Sequence, residues 1–349
     1  MTAPDKVLIV GPSWVGDMVM AQTLYKLLRH ENPQTEIHVV APPCSLPVLE
    51  RMPEVARGIE LAVGHGEVGL RRRWRLARQL RAERYDRAIV LPRSAKAALV
   101  PWLARIPLRT GFRGEWRYGL LNDVRSLDAS LDQTVKRFAA LGCRRGERVP
   151  DALPTALQPR LRSDARNLER LRALHGLTPG APLAALMPGA EYGPAKRWPT
   201  AHYGALAAAL ASAGADVVVL GSAKERSLGD EVAAQAGTAR ARNLCGATSL
   251  ADVVDLLAAA DVAVSNDSGL LHVAAAAGAP VVAIYGSSSP KLTPPLTDMA
   301  AIVYLGVECS PCFARECPLK HFKCLNDLAP ATVLRAVDSL RASRRLGSR

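Results

Sequence analysis

The chain has 349 residues, of which 49% are hydrophobic and 5% aromatic, and its formal net charge is +13. This length favours two domains, and an apolar fraction dominated by Ala, Leu and Val suits helices packed on parallel sheets better than a β-sandwich. No run reaches the ~18 uncharged apolar residues of a membrane span, and no signal-peptide pattern opens the chain. We therefore expect a cytoplasmic protein.

Positive charge is concentrated in the first half of the chain. Residues 1–170 carry 29 Lys and Arg against 18 Asp and Glu, whereas the remainder carries 16 against 14. A basic surface attracts phosphorylated lipid, membrane headgroups or nucleic acid, although a solvated arginine-rich face without function has the same composition. We expect no nucleic-acid partner, because few aromatic residues interleave with the basic ones and no nucleic-acid module is recognisable.

Short β-branched runs alternate with helical stretches, a pattern typical of βαβ units and a parallel sheet. In the first half the pattern predicts strands at 6–10, 36–41 and 87–91 and helices ending near 29 and spanning 74–84 and 94–103. After a proline-rich stretch it predicts strands at 183–187, 216–220, 261–265 and 280–285 and helices at 199–213, 268–277 and 330–341.

These elements predict an α/β protein with two domains, at 1–165 and 166–329. A C-terminal helix at 330–349 follows, and one arrangement packs this helix back on the N-terminal domain. Ligands of open parallel sheets bind beyond the carboxyl ends of the strands. Two such sheets facing each other across a cleft would suit an enzyme that binds the donor of a transferred group on one side and its acceptor on the other.

A glycine-containing loop follows the first predicted strand and opens the first helix. In this loop, residues 11–17 (GPSWVGD), two glycines let the backbone turn tightly and approach a ligand. Asp17 falls in the first helical turn, where it either acts on a ligand or only complements the helix dipole, an effect of ~0.3–1 kcal/mol. The loop matches neither the dinucleotide fingerprint nor a Walker loop.

Two motifs in the second half are typical of phosphate sites. Residues 187–199 (MPGAEYGPAKRWP) place Lys196 and Arg197 at the end of a glycine-rich loop, where cations could stabilise a leaving diphosphate; two solvated cations are the alternative. Residues 265–272 (SNDSGLLH) place Asp267 or Ser268 to cap a helix whose amides form an anion site. His272 either reaches the same phosphates or is a core histidine.

Four of the seven cysteines lie close together near the end of the chain. Cys309, Cys312, Cys317 and Cys324 fall within sixteen residues, a spacing compatible with a structural tetrahedral zinc site, with His321 able to replace one thiol. Free thiols and redox-sensitive pairs are the alternatives. A cytosolic protein does not use cysteines as a disulfide framework, and we expect Cys44, Cys143 and Cys245 to be ordinary buried residues.

These motifs, with residues 109–123 (RTGFRGEWRYGLLND) and 285–290 (YGSSSP), resemble the type II lipopolysaccharide heptosyltransferases of glycosyltransferase family 9. The resemblance extends in order over nearly the whole chain. It implies a GT-B fold, with two facing Rossmann-like domains. The implied reaction is inverting transfer of heptose from ADP-L-glycero-D-manno-heptose to the first heptose of the lipid A–Kdo inner core.

The resemblance also implies roles for individual residues. Asp17 would be the general base on the acceptor hydroxyl, and Lys196 would stabilise the departing ADP. The expected donor-binding residues are Gly189, Lys196, Arg197, Glu225 for the ribose, Asp267, Ser268, Gly269 and His272. The expected acceptor-binding residues are Ser13, Trp14, Gly16, Arg93, Lys96, Arg113 and Arg117. No cofactor is required, and the chain has no Asp-x-Asp pair for a catalytic metal.

The basic first half fits a phosphorylated lipid acceptor and peripheral attachment to the anionic inner face of the inner membrane. Arg71, Arg72 and Arg73 join the candidates for such contacts. The alternatives are a type I heptosyltransferase or another member of family 9. More remote is a sugar-nucleotide epimerase of the same fold, which would leave the basic half unexplained.

Overall fold

A computed structural model describes residues 5–64, 67–150 and 152–347, with side chains of the last helix described to residue 343. The chain divides into two compact units, Met1–Pro159 and Arg160–Arg349. Each unit contains one parallel sheet covered by helices, and the predicted α/β class is confirmed. None of the helices among the described residues combines the length and apolar character needed to cross a bilayer.

The first unit is built on a sheet of six strands in the order β3-β2-β1-β4-β5-β6. The strands are β1 (Lys6–Val10), β2 (Glu36–Ala41), β3 (Val55–Glu60), β4 (Arg87–Val90), β5 (Leu108–Phe112) and β6 (Asp123–Arg125). The helices are α1 (Val15–Glu31), α2 (Leu46–Leu49), α3 (Leu70–Leu80), α4 (Ala95–Leu103) and α5 (Thr134–Gly142).

The second unit repeats this topology in the order β12-β11-β10-β7-β8-β9. Its strands are β7 (Leu183–Met187), β8 (Asp216–Val219), β9 (Ala241–Asn243), β10 (Val262–Asn266), β11 (Val281–Tyr285) and β12 (Ala300–Tyr304). Its helices are α6 (Ala165–Leu174), α7 (Thr200–Ser212), α8 (Arg226–Ala236), α9 (Leu250–Ala258), α10 (Gly269–Ala277), α11 (Lys323–Asn326) and α12 (Pro330–Gly347).

The central strands are apolar along their whole length because helices cover both faces of a parallel sheet. Every residue of β7, β10 and β11 is buried. In each sheet the strand order reverses beside the first strand of the unit, between β1 and β4 and between β7 and β10. The loops after these strands flank the crevice in which doubly wound folds bind their ligands.

The boundary between the units lies at residue 159 rather than at the predicted 165. The Leu161 backbone N–H donates to the Ala276 carbonyl oxygen at 2.8 Å, which joins this segment to the end of α10. The Asn167 side chain on α6 donates to Asp252 and Asp255 of α9 at 2.9 and 2.7 Å. Residues 160–182, including α6, therefore belong to the second unit.

The predicted C-terminal helix is part of the core of the second unit rather than a separate element. Val333 and Val337 of α12 are fully buried in the apolar cluster beneath β10, β11 and β12. Just before α12, the Leu328 carbonyl oxygen accepts a 2.8 Å hydrogen bond from the indole N–H of the buried Trp198. This contact ties the start of α12 to the predicted phosphate loop.

Candidate functional site

The loops that follow β7 and β10 meet at the strand-order reversal of the second sheet. Asn266, the last residue of β10, is fully buried there. Its Nδ2 donates to the Pro188 carbonyl oxygen at 2.7 Å, and its Oδ1 accepts from the Trp198 backbone N–H at 3.0 Å and from the Tyr203 hydroxyl at 3.2 Å. One amide side chain thus fixes both ends of the loop at 188–198, a role that was not predicted from the sequence.

Lys196 and Asp267 form the charged centre of these loops. The Lys196 Nζ lies 2.6 Å from Oδ2 of Asp267, whose side chain is only 6% exposed. The same Nζ lies 5.1 Å from the centroid of the Tyr192 ring, within cation–π range. A buried carboxylate needs a cationic partner, and a lysine ammonium has three donors. Lys196 can therefore bind an anionic ligand while it remains paired with Asp267.

Helix α10 starts directly after this ion pair. Ser268 occupies its N-cap position, but its side chain makes no capping hydrogen bond and its Oγ instead lies 3.2 Å from the Ser265 Oγ. The Asp267 carboxylate binds Lys196 and the Thr293 hydroxyl. The predicted side-chain capping is therefore wrong, and the Ser268 side chain leaves the first backbone N–H groups of α10 uncapped.

His272, one turn into α10, is buried. Burial lowers the pKa of its imidazole; the charge of Asp267 opposes this effect and that of Lys196 adds to it. His272 is therefore neutral at pH 7 and can donate a hydrogen bond without adding a second positive charge. The two predicted alternatives, a core histidine and a phosphate contact, are compatible at this position.

Glu225 lies where the loops after β7 and β8 approach each other. Its Oε2 accepts from the backbone N–H and the hydroxyl of Ser222 at 2.8 and 2.9 Å. A Cβ atom on Gly189 would lie 1.7 Å from Oε1 of Glu225, so the carboxylate packs directly against the Gly189 backbone. The structure thus brings two of the predicted donor-binding residues into contact.

Arg197 stabilises the loop at 188–198 by a hydrogen bond inside that loop. Its Nη2 and Nε donate to the Ala190 carbonyl oxygen at 3.2 and 3.3 Å. The side chain remains half-buried, so it holds the shape of the loop beside Lys196.

In the first unit, the loop at 11–17 follows β1 and leads into α1. A Cβ on Gly11 would lie 2.6 Å from Cε of Met18 and 3.1 Å from the Val40 carbonyl oxygen, so any larger residue would require both neighbours to shift. Asp17 lies half-buried in the first turn of α1, as predicted. Among the predicted acceptor contacts in this loop, Ser13 and Trp14 are exposed and Gly16 is buried.

The loops after β4, β5 and β6, which are consecutive strands of the sheet, form a concave site of about 620 Å³. Two predicted acceptor contacts, Arg93 and Arg113, line it, and the Arg93 Nε donates to the Arg113 carbonyl oxygen at 3.3 Å. The lining also includes Trp116, whose side chain is 92% exposed, and Tyr118. These rings were not predicted as site residues, although the segment GEWRYG alternates them with charges.

Arg117 has a structural position, which corrects its prediction as an acceptor contact. Its side chain is 1% exposed, and its guanidinium donates to the carbonyl oxygens of Phe112, Pro92 and Ser94. Burial lowers its pKa to about 10, so it remains charged at neutral pH. Arg117 thus holds together the loops that carry Arg93 and Arg113. Lys96 donates to the Glu67 carbonyl oxygen at 3.2 Å and does not line the concave site.

Comparison with known proteins agrees with this geometry. The family model described as glycosyltransferase family 9 (heptosyltransferase) matches residues 73–323. The chain belongs to glycosyltransferase family 9. Lipopolysaccharide heptosyltransferase 2 of Salmonella typhimurium is 45% identical over 341 residues, which cover 96% of this chain and 98% of that protein. Lipooligosaccharide heptosyltransferase 2 of Haemophilus influenzae is 44% identical over 312 residues, covering 86% and 88%.

A solved structure of a family 9 enzyme matches almost the whole fold. The structure of E. coli ADP-heptose lps heptosyltransferase II superposes with a TM-score of 0.88 at 42% identity, covering 97% of this chain and 99% of that chain. The predicted GT-B fold class is confirmed by this match together with the two Rossmann-like sheets.

The contact between Gly189 and Glu225 makes a testable prediction. Gly189→Ala forces the Glu225 carboxylate to move, because its Cβ would lie 1.7 Å from Oε1. If Glu225 binds the nucleotide, the loss of a charged hydrogen bond of ~1.5–3 kcal/mol weakens ADP binding by roughly 10–100-fold. Isothermal titration calorimetry with ADP measures this effect.

The matched control is the same glycine substitution in a Glu225→Ala background. With the carboxylate removed, Gly189→Ala should change the ADP affinity by less than about twofold, which is the non-additivity expected of residues in contact. Independent, additive effects of the two substitutions would show that Glu225 does not mediate the effect of Gly189.

Proposed function

We propose that this protein transfers heptose from ADP-L-glycero-D-manno-heptose to the first heptose of the lipid A–Kdo inner core, with inversion at the anomeric carbon. The Lys196–Asp267 ion pair carries the proposal, because it fixes a cation at the start of α10 and at the ligand crevice of the second sheet. The two relatives described above are both named heptosyltransferase 2, and their identities of 45% and 44% support the donor and the acceptor class.

The second unit supplies the donor half of the reaction. Negative charge grows on the diphosphate as its bond to the sugar breaks, and groups already in place stabilise it without reorganisation. Lys196 offers an ammonium, α10 offers backbone N–H groups, and the neutral His272 offers one further donor. Glu225 accepts hydrogen bonds from the ribose hydroxyls. These groups supply the charge stabilisation for which other transferases use a metal ion.

The first unit supplies the acceptor half. Asp17 accepts the proton of the attacking heptose hydroxyl while the new bond forms to the anomeric carbon. A single displacement needs one carboxylate at the reacting centre and inverts the configuration. The concave site offers the guanidinium groups of Arg93 and Arg113 to phosphate and carboxylate groups of the inner core. Trp116 and Tyr118 present ring faces to its sugars.

Substitution of Asp17 tests the transferase proposal. Asp17→Asn keeps the shape of the side chain but removes the base, so kcat for heptose transfer should fall by roughly 10²–10⁴-fold. Affinity for ADP should stay within about twofold, since the donor site is built from the second unit. The assay follows acceptor-dependent ADP release with a purified lipid A–Kdo–heptose acceptor, and calorimetry measures ADP binding.

The control is Asp132→Asn, which changes an exposed aspartate just before α5 in the same unit. It should leave kcat unchanged. No release from the wild type with any inner-core acceptor would refute the heptosyltransferase proposal. Full activity of Asp17→Asn would keep the function and refute the role of Asp17.

We further propose that α3 attaches the protein peripherally to the anionic inner membrane. Four arginines of this helix are exposed, and Trp74 between them is 51% exposed, with the Arg78 guanidinium 4.9 Å from its ring centroid. Cations bind anionic headgroups while a tryptophan inserts at the interface. Arg73 does not take part as predicted, because it is buried and its Nε donates to the Val68 carbonyl oxygen at 2.7 Å.

Vesicle binding tests this surface. Arg71→Ala/Arg75→Ala removes two cations worth ~1 kcal/mol each, so affinity for vesicles containing anionic phosphatidylglycerol should fall by roughly 10–30-fold. The control Arg172→Ala/Arg335→Ala makes the same change of charge on the second unit and should have little effect. Equal losses in both variants, or wild-type binding to neutral phosphatidylcholine vesicles, would refute a specific anionic surface on α3.

A further inference from the structure

The four late cysteines converge on one small cavity, although they are spread over sixteen residues. Cys309, Cys312, Cys317 and Cys324 all line a cavity of about 200 Å³, together with His321. All four are free thiols. The sugar transfer proposed above does not require a cavity lined by four thiols. Apolar cores are close-packed, so packing alone does not explain four sulfur atoms around open space.

The backbone around these cysteines makes several left-handed turns. Within the described residues, six non-glycine residues have left-handed φ values, and three of them, Phe313, Lys320 and Phe322, lie between Cys312 and Cys324. Such conformations cost of order 1–3 kcal/mol each and persist where the surroundings impose them. The tight turns they make bring distant cysteines to the same place.

Backbone N–H groups already point at one of the sulfur atoms. The backbone amides of Leu319, Lys320, His321 and Phe322 donate hydrogen bonds to the Cys317 sulfur. Cys324 is half-buried, and Cys309, Cys312 and Cys317 all lie close enough to interact electrostatically with it. Backbone donors thus surround one sulfur atom, and the other three thiols share the same small region.

We infer that Cys309, Cys312, Cys317 and Cys324 bind one thiophilic divalent metal ion of the zinc class. Zinc takes four thiolates in a tetrahedron at ~2.3 Å. Among the described residues no group of three or more ligand-type side chains is already arranged around a metal position. The proposed site therefore needs the thiols to turn towards the cavity when the ion binds. Ser287, which also lines the cavity, has a buried hydroxyl with no hydrogen-bond partner.

The metal site would be structural, and it would support the donor loop. The Phe313 backbone N–H donates to the Ser287 carbonyl oxygen at 2.7 Å, and the Ala195 N–H donates to the Arg315 carbonyl oxygen at 3.1 Å. The Tyr192 hydroxyl donates to the Phe313 carbonyl oxygen at 2.8 Å. The cysteine segment is therefore hydrogen-bonded to the loop that positions Lys196, so a metal that fixes one also fixes the other.

Cobalt binding tests the site directly in the full-length, reduced protein. Titration with Co²⁺ should saturate at one ion per chain, with thiolate-to-cobalt charge-transfer absorption and the strong visible bands of tetrahedral sulfur coordination. Zinc should then displace the cobalt and abolish both the charge-transfer absorption and the visible bands. Absence of these bands in folded protein whose thiols all react with a thiol reagent would overturn the proposal.

The variant Cys309→Ser/Cys312→Ser assigns the ligands. Both positions are exposed, so serine should not disturb the core, and circular dichroism confirms that the variant folds. The charge-transfer bands should be lost in this variant. They should persist in Cys44→Ser, because Cys44 lies outside the cavity and is exposed rather than buried as expected. Unchanged bands in the double variant would overturn the assignment.

Hydrogen exchange tests the link to the donor loop without relying on transferase activity. Removal of the metal by chelation should speed exchange of the Ala195 amide, which donates from the donor loop to Arg315 of the cysteine segment. It should also speed exchange of the Phe313 amide, which donates from the cysteine segment to Ser287 after β11. The Leu220 amide, which donates to Leu186 inside the sheet, serves as the internal control. Equal exchange at Ala195 and Phe313 with and without metal would overturn the supporting role of the ion.

Discussion

The donor half of this protein depends on the ion pair between Lys196 and Asp267. Its members come from loops that follow different strands, and they meet because β7 and β10 are neighbours where the strand order reverses. The buried Asp267 requires a cation, so the ammonium is held at the start of α10 before any ligand arrives. Asn266 maintains this arrangement by hydrogen-bonding both ends of the Lys196 loop. Fold and charge thus produce the anion site together.

The same topology serves a different purpose in the first unit. There the loops after β1, β4 and β5 carry Asp17, Arg93 and Arg113 to one edge of the sheet. Arg117 stabilises this edge from inside, since its buried guanidinium is bonded to backbone carbonyl oxygens of two loops. In the proposed reaction, one unit therefore offers a fixed cation to the leaving diphosphate, and the other offers a carboxylate and exposed arginines to the acceptor.

The sequence predicted those parts of the fold that local pattern determines. Central strands such as β7 are apolar throughout and were located correctly. The glycine-rich loops were located with them, because each loop directly follows a predicted strand. Strands β3, β5, β6, β9 and β12 were missed. In β3 and β6, exposed or half-buried charged residues interrupt any apolar run. Arg113 and Arg117 look alike in sequence, and only the folded loop buries one and exposes the other. The role of Asn266 likewise rests on contacts with residues far away in the chain.

The kinetics of Lys196→Met and Lys196→Met/Asp267→Asn test the central claim most directly. If Lys196 stabilises the leaving diphosphate, the single variant should lose roughly 10²–10³-fold in kcat for heptose transfer. The double variant should recover only part of this loss, because it removes the unpaired buried carboxylate but does not restore the cation. Wild-type kcat in the double variant would show that Lys196 only neutralises Asp267. Wild-type kcat in the single variant would contradict any role for this ion pair in transfer.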